Sequence, residues 1–213
     1  MRERGPLETG LWLIRHPEPD ASFRGRCYGS LDVALSPHGR QNAEQIAQAL
    51  ASVRFAAIYA SPRTRCTYLA NLIASNRRCG VEVVEDLREL DFGDFEGRTY
   101  DEIAQLYPET YARWMEHPTE TAFPKGETFQ AMRARVLNTR DQLVSRHSGQ
   151  SFVCVTHGGV IRILIAEAFG IPPAGIFSVP QRYGAINRIR YSGGPAAVEL
   201  IDGVGVDFCP DSG

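Results

Sequence analysis

A histidine set directly behind an arginine, Arg15-His16, ends the apolar run Leu11-Trp12-Leu13-Ile14. Four apolar residues in a row read as a short, fully buried strand, and Pro17 and Pro19 force the chain out of the sheet straight afterwards. A guanidinium and an imidazole at a strand's carboxyl end could bind an oxyanion and attack it. Arginine offers paired N–H groups matched to phosphate oxygens, and imidazole is a nucleophile near neutral pH. Taken alone, the pair also fits an ordinary solvated strand end. Three further stretches carry compatible chemistry. Ser61-Pro62-Arg63-Thr64-Arg65-Cys66 sets two arginines at the start of a helix, where cations oppose the dipole at ~0.3–1 kcal/mol each. Two cations there suggest an anion supplied from elsewhere, although Arg63 alone reads as a side chain bent into water. Glu89 lies in the acidic stretch 86–97, whose carboxylates read mostly as solvated. A carboxylic acid at that place could protonate a leaving alkoxide if partial burial raised its pKa. Thr156-His157-Gly158-Gly159 ends one apolar run and opens another; its glycines allow close backbone approach and offer N–H groups at a helix start. His157 by itself also fits a hydrogen-bonded structural role. His16, His157 and Glu89 have the ligand types of a two-histidine, one-carboxylate metal centre, but the neighbouring arginines would repel a cation.

These side chains need elements to bring them together. Apolar runs at 11–14, 55–60, 81–84 and 151–155 read as strands, and each is followed by helical periodicity. Ser36-Pro37 and Ser61-Pro62 both read as an N-cap with proline in the first turn. The first helix runs to about Ala51. Thr99 to Glu102 has the form of a capping box, and its helix ends before Pro108. A second short helix is expected around Tyr111 to Glu116. Residues 117–126 form a polar, proline-containing connection suited to a mobile flap. The next helix buries Phe129, Met132, Val136, Leu143 and Val144, with Arg133, Arg135 and Arg140 on a solvated face. An apolar helix, Val160 to Phe169, closes at Gly170. Alternating runs at 185–191 and 196–202 read as an edge hairpin, and the tail past Val206 as loose.

Strand then helix, four times over, predicts an α/β fold: a three-layer αβα arrangement around a mostly parallel, doubly wound sheet with an antiparallel C-terminal edge hairpin. Ligands in such sheets bind beyond the carboxyl ends of the strands. If the four strands are parallel, Arg15, His16, Arg65, Glu89 and His157 converge on one rim. Residues 20–35 read as a long loop of the functional kind.

Composition bounds the partners. The chain has 213 residues, 43% hydrophobic and 23% charged, with a net charge of -2. One domain over 1–213, with a core of about 11–203, is expected. Nothing pulls the chain toward nucleic acid, and no run suits a signal peptide or membrane span, so a cytoplasmic protein is expected. The five cysteines are irregularly spaced, without a disulfide framework or structural zinc site.

The motifs Ile14-Arg15-His16-Pro17-Glu18, Ser61-Pro62-Arg63-Thr64-Arg65-Cys66, Leu87-Arg88-Glu89 with Phe92-Gly93 and Glu96-Gly97, and Thr156-His157-Gly158-Gly159 resemble the histidine phosphatase superfamily, also called phosphoglycerate mutase-like. Four blocks in the right order over about residues 11–170 make the resemblance specific. It implies His16 as the nucleophile that becomes phosphohistidine, Arg15, Arg65 and His157 as a phosphate cage with Gly158, and Glu89 as the proton donor. Tyr28-Gly29 matches a stretch beside bound phosphate in the mutases. The run Gly25-Arg26-Cys27-Tyr28-Gly29 with Asp32 is similar to alpha-ribazole phosphatases. The implied activity is metal-independent hydrolysis of a small phosphate ester, without a cofactor, with alpha-ribazole phosphate as one substrate to test. A mutase-type transfer or a non-catalytic phospho-ligand module are the alternatives. The segment between Glu89 and His157 is shorter than in true mutases, which favours the phosphatase. Two departures stand out: Pro17 replaces the usual glycine, and the usual asparagine is missing, with Ser22 its nearest candidate. Oligomeric state is left open.

Overall fold

The computed structural model describes residues 8–75 and 77–201, with backbone only at 200–201. The expected tail past Val206, Cys209 and the last residues of the expected core and hairpin lie outside the described residues. Six strands form one sheet: β1 (Thr9–Arg15), β2 (Ala57–Ala60), β3 (Val81–Val83), β4 (Ser151–Thr156), β5 (Ile186–Tyr191) and β6 (Ala197–Ile201), in the order β3-β2-β4-β1-β5-β6. β1 with β4, β4 with β2, and β2 with β3 are parallel, whereas β5 is antiparallel to β1 and β6 to β5. The expected parallel core with an antiparallel hairpin is therefore present.

Alternation along β1 explains its unbroken apolarity. Leu11 and Leu13 point into one core with Phe152 and Cys154 of β4, while Trp12 and Ile14 point into the other with Val153 and Val155. A strand covered on both faces needs apolar residues at every position. Leu13 and Ile14 are fully buried, contributing about 1.5–3 kcal/mol each. The second core is closed by α1 (Pro37–Ala49) and α2 (Thr64–Ala74). The first is closed by α5 (Phe129–Arg146) and α6 (Gly158–Phe169), with α3 (Tyr100–Leu106) and α4 (Pro108–Glu116) set beside its aromatic end. These faces make the three layers.

Local signals behaved as their chemistry demands in most places. Ser36 caps α1 through the Gly39 N–H, Thr99 and Glu102 form the capping box of α3, and Gly170 ends α6 in the left-handed region (φ 69°). α4 starts at Pro108 rather than near Tyr111, because proline suits the first turn. β2 is shorter than expected: Phe55 leaves the ladder and packs edge-on against Trp12, centroids 5.7 Å apart.

Three expectations need correction. Ser61 does not cap α2; Arg63 occupies the N-cap position without a side-chain bond, and Asp32 accepts from the Thr64 N–H at 2.7 Å instead. The 117–126 connection is packed down, with Thr119, Thr121 and Phe123 buried and Phe123 set among Phe92, Phe95 and Trp114. Arg135 is not on a solvated face, for reasons given below.

Candidate active site

Register brings the first pair of groups together. Arg15 on β1 is aligned with Thr156 on the adjacent parallel strand β4, so the next residues, His16 and His157, leave the sheet side by side. Their ring centroids lie 5.2 Å apart. The His16 N–H donates to the Thr156 carbonyl at 2.9 Å, which fixes the backbone. His16 Nδ1 lies 2.8 Å from the Pro17 carbonyl. A carbonyl only accepts, so Nδ1 carries the hydrogen and Nε2 presents its lone pair to the cavity. Burial, and then the Arg65 and Arg15 charges, hold this imidazole well below the ordinary histidine range. It is neutral at physiological pH. Pro17 supplies the needed carbonyl as well as glycine would.

Ser61, at the end of β2, turns its hydroxyl to His157 Nε2 at 2.6 Å, with both residues fully buried. His157 is likewise held well below the ordinary range, by burial first and then by Arg65, His16, Arg15 and Arg63. Beside it, burial pushes the Cys66 thiol up to about 12, so it stays protonated and is no rival nucleophile.

Arg65 is fully buried in the first turn of α2. Its two terminal nitrogens donate to the carbonyls of Leu31 and Gly29, both at 2.7 Å. Arg15 donates through Nη1 to the Gln181 carbonyl. In Arg15, Arg63 and Arg65 alike, Nε is buried without a hydrogen-bond partner among the described residues. No carboxylate lies within ion-pair distance of these three arginines among the described residues. The cage therefore holds positive charge and buried, unused N–H donors at once.

Glu89 reaches this rim from the turn after β3. Its Oε2 accepts from the Gly159 N–H at 2.9 Å and its Oε1 from the Leu90 N–H at 3.0 Å. Gly159 thus spends its N–H on Glu89 rather than on a ligand. A Cβ there would lie 2.2 Å from Glu89 Oε1, so any larger residue would push the Glu89 carboxylate out of this place. Arg135 of α5 holds the turn that carries Glu89. Its guanidinium donates to the Asp86, Arg88 and Glu89 carbonyls and makes a two-pronged pair with Glu127, both side chains only 10% exposed. Sequence reasoning missed this because nothing in the spacing separates it from Arg133 or Arg140.

The loop 20–35 supplies the far wall. Tyr28 lines the cavity and its hydroxyl lies 2.7 Å from that of Tyr183. Gly29 gives its carbonyl to Arg65 and its N–H to Glu96, and a Cβ on it would strike the Leu90 carbonyl at 1.9 Å. Glu96 accepts from the N–H groups of Gly29, Ser30, Leu31 and Phe92, unlike the solvated carboxylates expected for most of its stretch. Ser22 is not brought into the site: it is exposed, and both its N–H and its hydroxyl donate to Asp20. Gly158 sits at the start of α6 between Arg15 and Arg162, whose atoms would lie 3.3 and 3.0 Å from a Cβ there. Arg162 and Tyr183 are cavity-lining residues absent from the sequence-based set. Arg162 lies one turn into α6 from the His157-Gly158-Gly159 motif, a signal that could have found it; Tyr183 had none.

Arg15, His16, Arg65, Glu89 and His157 line a cavity of about 890 Å³. Phe92, Tyr100, Tyr111, Trp114, Met115 and Phe177 line it too, with Phe92, Tyr100 and Tyr111 each in ring contact with Trp114. Among the described residues no group of three histidine, cysteine or carboxylate side chains is arranged to hold a metal ion. Nor is any helix there long and apolar enough to cross a membrane.

Comparison with known proteins gives the family. Residues 11–202 match the histidine phosphatase superfamily (branch 1). The adenosylcobalamin/alpha-ribazole phosphatase of Escherichia coli is 32% identical over 162 residues, covering 76% of this chain and 80% of the relative. Phosphoserine phosphatase 1 of Hydrogenobacter thermophilus is 33% identical over 163 residues, 76% of each chain. The crystal structure of the alpha-ribazole phosphatase from Shigella flexneri superposes with a TM-score of 0.85 at 29% identity, covering 92% of this chain and 98% of that one. The chain belongs to the histidine phosphatase superfamily. Its activity is that of a phosphomonoesterase.

Proposed function

We propose that His16 is the nucleophile of this phosphatase, Glu89 its proton donor, and Arg15, Arg65 and His157 the groups that hold the phosphoryl group. The observation that carries the reading is a His16 with Nδ1 spent on the Pro17 carbonyl and Nε2 left with the lone pair, lining one cavity with His157 and with Arg15 and Arg65, whose Nε–H groups have no partner among the described residues. Phosphoryl transfer needs in-line positioning and compensation of charge, and little else from the protein. Nε2 attacks phosphorus, the P–O bond to the alcohol breaks, and Glu89 delivers a proton to the departing oxygen. Water then attacks the phosphorus of the phosphohistidine and loses a proton to Glu89, the P–Nε2 bond breaks to return the lone pair to His16, and inorganic phosphate departs. The arginines around His16, His157 and Glu89 favour a dianion over a metal cation, which supports a metal-independent reaction.

The aromatic residues that line the cavity favour esters whose leaving group is bulky and largely apolar. Alpha-ribazole phosphate is of that kind; phosphoserine would leave the aromatic wall uncovered. A cytoplasmic setting and a single domain belong to the same reading.

The test is turnover of a phosphomonoester panel containing both compounds and p-nitrophenyl phosphate, with 1 mM EDTA present (roughly the level that strips divalent ions). His16→Ala is expected to abolish turnover with the fold intact, and acid-labile phosphohistidine to be trapped in the wild type alone. Glu89→Gln is expected to slow alkyl esters at least about tenfold more than aryl esters, because phenolates leave without a proton. Turnover by His16→Ala, or equal losses on both ester classes for Glu89→Gln, would falsify the respective assignment.

A further inference from the structure

The residues leading into β5 have no part in the chemistry assigned above, yet they touch both groups at the end of β1. The Gln181 carbonyl accepts from Arg15 Nη1, the Ala185 carbonyl accepts from the Arg15 N–H at 3.0 Å, and the Gly184 N–H donates to the His16 carbonyl at 3.3 Å. Between them, Tyr183 lays its ring over the Arg15 guanidinium, with Cζ 4.1 Å from the ring centroid. The same ring flanks the His16 imidazole, centroids 5.6 Å apart. Across the cavity, Arg65 Cζ lies 5.5 Å from the centroid of the Tyr28 ring. The two phenol oxygens meet at 2.7 Å. Arg15 and Arg65 thus each have one aromatic ring against them, and one hydrogen bond joins the two rings.

We propose that Tyr183 and Tyr28 form a clamp that positions Arg15 and Arg65 for the phosphoryl group, an inference that rests on the phosphatase reading of the site. The physical reason lies in what a ring face does not do. A carboxylate against either arginine would fix it but would cancel its charge and occupy its N–H groups. A ring face holds the guanidinium plane by cation–π attraction and consumes no donor. The buried Nε–H groups of Arg15 and Arg65 stay free for phosphate oxygens. The hydroxyl pair ties together two segments far apart in the chain, so the spacing of the two guanidiniums depends on both. Burial, first among the causes, holds the Tyr28 phenol above its ordinary range, so it remains a hydroxyl able to bond its partner.

The test is inorganic phosphate affinity by calorimetry, set beside kcat and KM for p-nitrophenyl phosphate and for a larger aryl ester. Tyr183→Leu is expected to weaken phosphate binding about tenfold, equivalent to about 1.4 kcal/mol, and to lower kcat on both esters alike. Tyr183→Phe keeps the ring and is expected to recover most of that loss. Tyr28→Phe, Tyr183→Phe and the double variant are expected to lose the same amount, because they remove one shared hydrogen bond. Tyr183→Leu with unchanged phosphate affinity and a raised KM on the larger ester alone would overturn the proposal and make Tyr183 a wall for the leaving group. Additive losses in the two phenylalanine variants would overturn the coupling, and that cycle stands even if Tyr183→Leu does not fold. A wild type that binds phosphate but forms no phosphohistidine would count against the catalytic reading alone, since affinity is measured without turnover.

Discussion

At the scale of residues, the site depends on two imidazoles kept neutral among guanidiniums. Burial and the adjacent Arg65 and Arg15 lower the His16 pKa, and the same forces, joined by His16 and Arg63, lower that of His157. A lowered histidine pKa means that the unfolded chain takes up protons at a pH where the folded protein does not. Stability then rises with pH across that window and is lost as pH falls from about 6.5 toward the folded-state values. Two outcomes follow from the same cause. The melting temperature is expected to drop as pH is lowered below about 6.5, read by thermal denaturation across a pH series. The acid limb of kcat/KM on an aryl phosphate is expected well below that same pH, since His16 stays unprotonated there. An acid limb at or above the ordinary histidine value would contradict the geometry of His16. Pro17 fits this picture, because the group that His16 needs from it is a carbonyl.

At the scale of elements, Glu89 is only as well placed as the turn that bears it. That turn has no regular strand partner among the described residues; α5 holds it through Arg135, which satisfies three carbonyls and pairs with the nearly buried Glu127. Removing one member of a buried ion pair leaves the other charged and unpaired. Arg135→Ala is expected to cost about 3 kcal/mol or more, read by urea denaturation, and to slow alkyl esters more than aryl ones because Glu89 loses its support. Arg135→Met combined with Glu127→Gln is expected to cost less, since no charge is then stranded. A destabilisation by Arg135→Ala within experimental error would place that guanidinium outside the support of Glu89. The loop 20–35 is held in the same manner by Glu96, whose carboxylate gathers four N–H groups and so fixes the carbonyls that grip Arg65.

At the scale of the whole molecule, a chain of net charge -2 keeps at the carboxyl end of its sheet three arginines that have no ion-pair partner among the described residues. A fully buried Arg65 without a carboxylate partner among the described residues is costly in the free protein, and a bound dianion relieves that cost. Inorganic phosphate or vanadate is expected to raise the melting temperature, by the equivalent of about 2.7 kcal/mol at a hundredfold excess over Kd. Arg65→Ala is expected to lose most of that rise. A melting curve indifferent to phosphate would show that the cage does not bind it. The antiparallel direction of β5 matters at this scale too. It enters the sheet where β1 ends, which is why residues 181–185 reach the rim that the parallel strands build.

The order of strands and helices, the double-sided burial of β1 and the five polar residues at strand ends were readable from the chain alone. Each rests on local chemistry: apolar runs, proline and glycine punctuation, and charged groups where packing would not put them. The partners of individual side chains were decided only in three dimensions. Nothing near Ser61 distinguishes a helix cap from a partner for His157, and nothing near Arg135 or Glu96 marks them as anchors, because their partners are carbonyl and N–H groups distant in sequence or carried by every residue type. Tyr183 became part of the site through the register of β5 on β1, which backbone pairing across more than 170 residues sets and which no local pattern encodes.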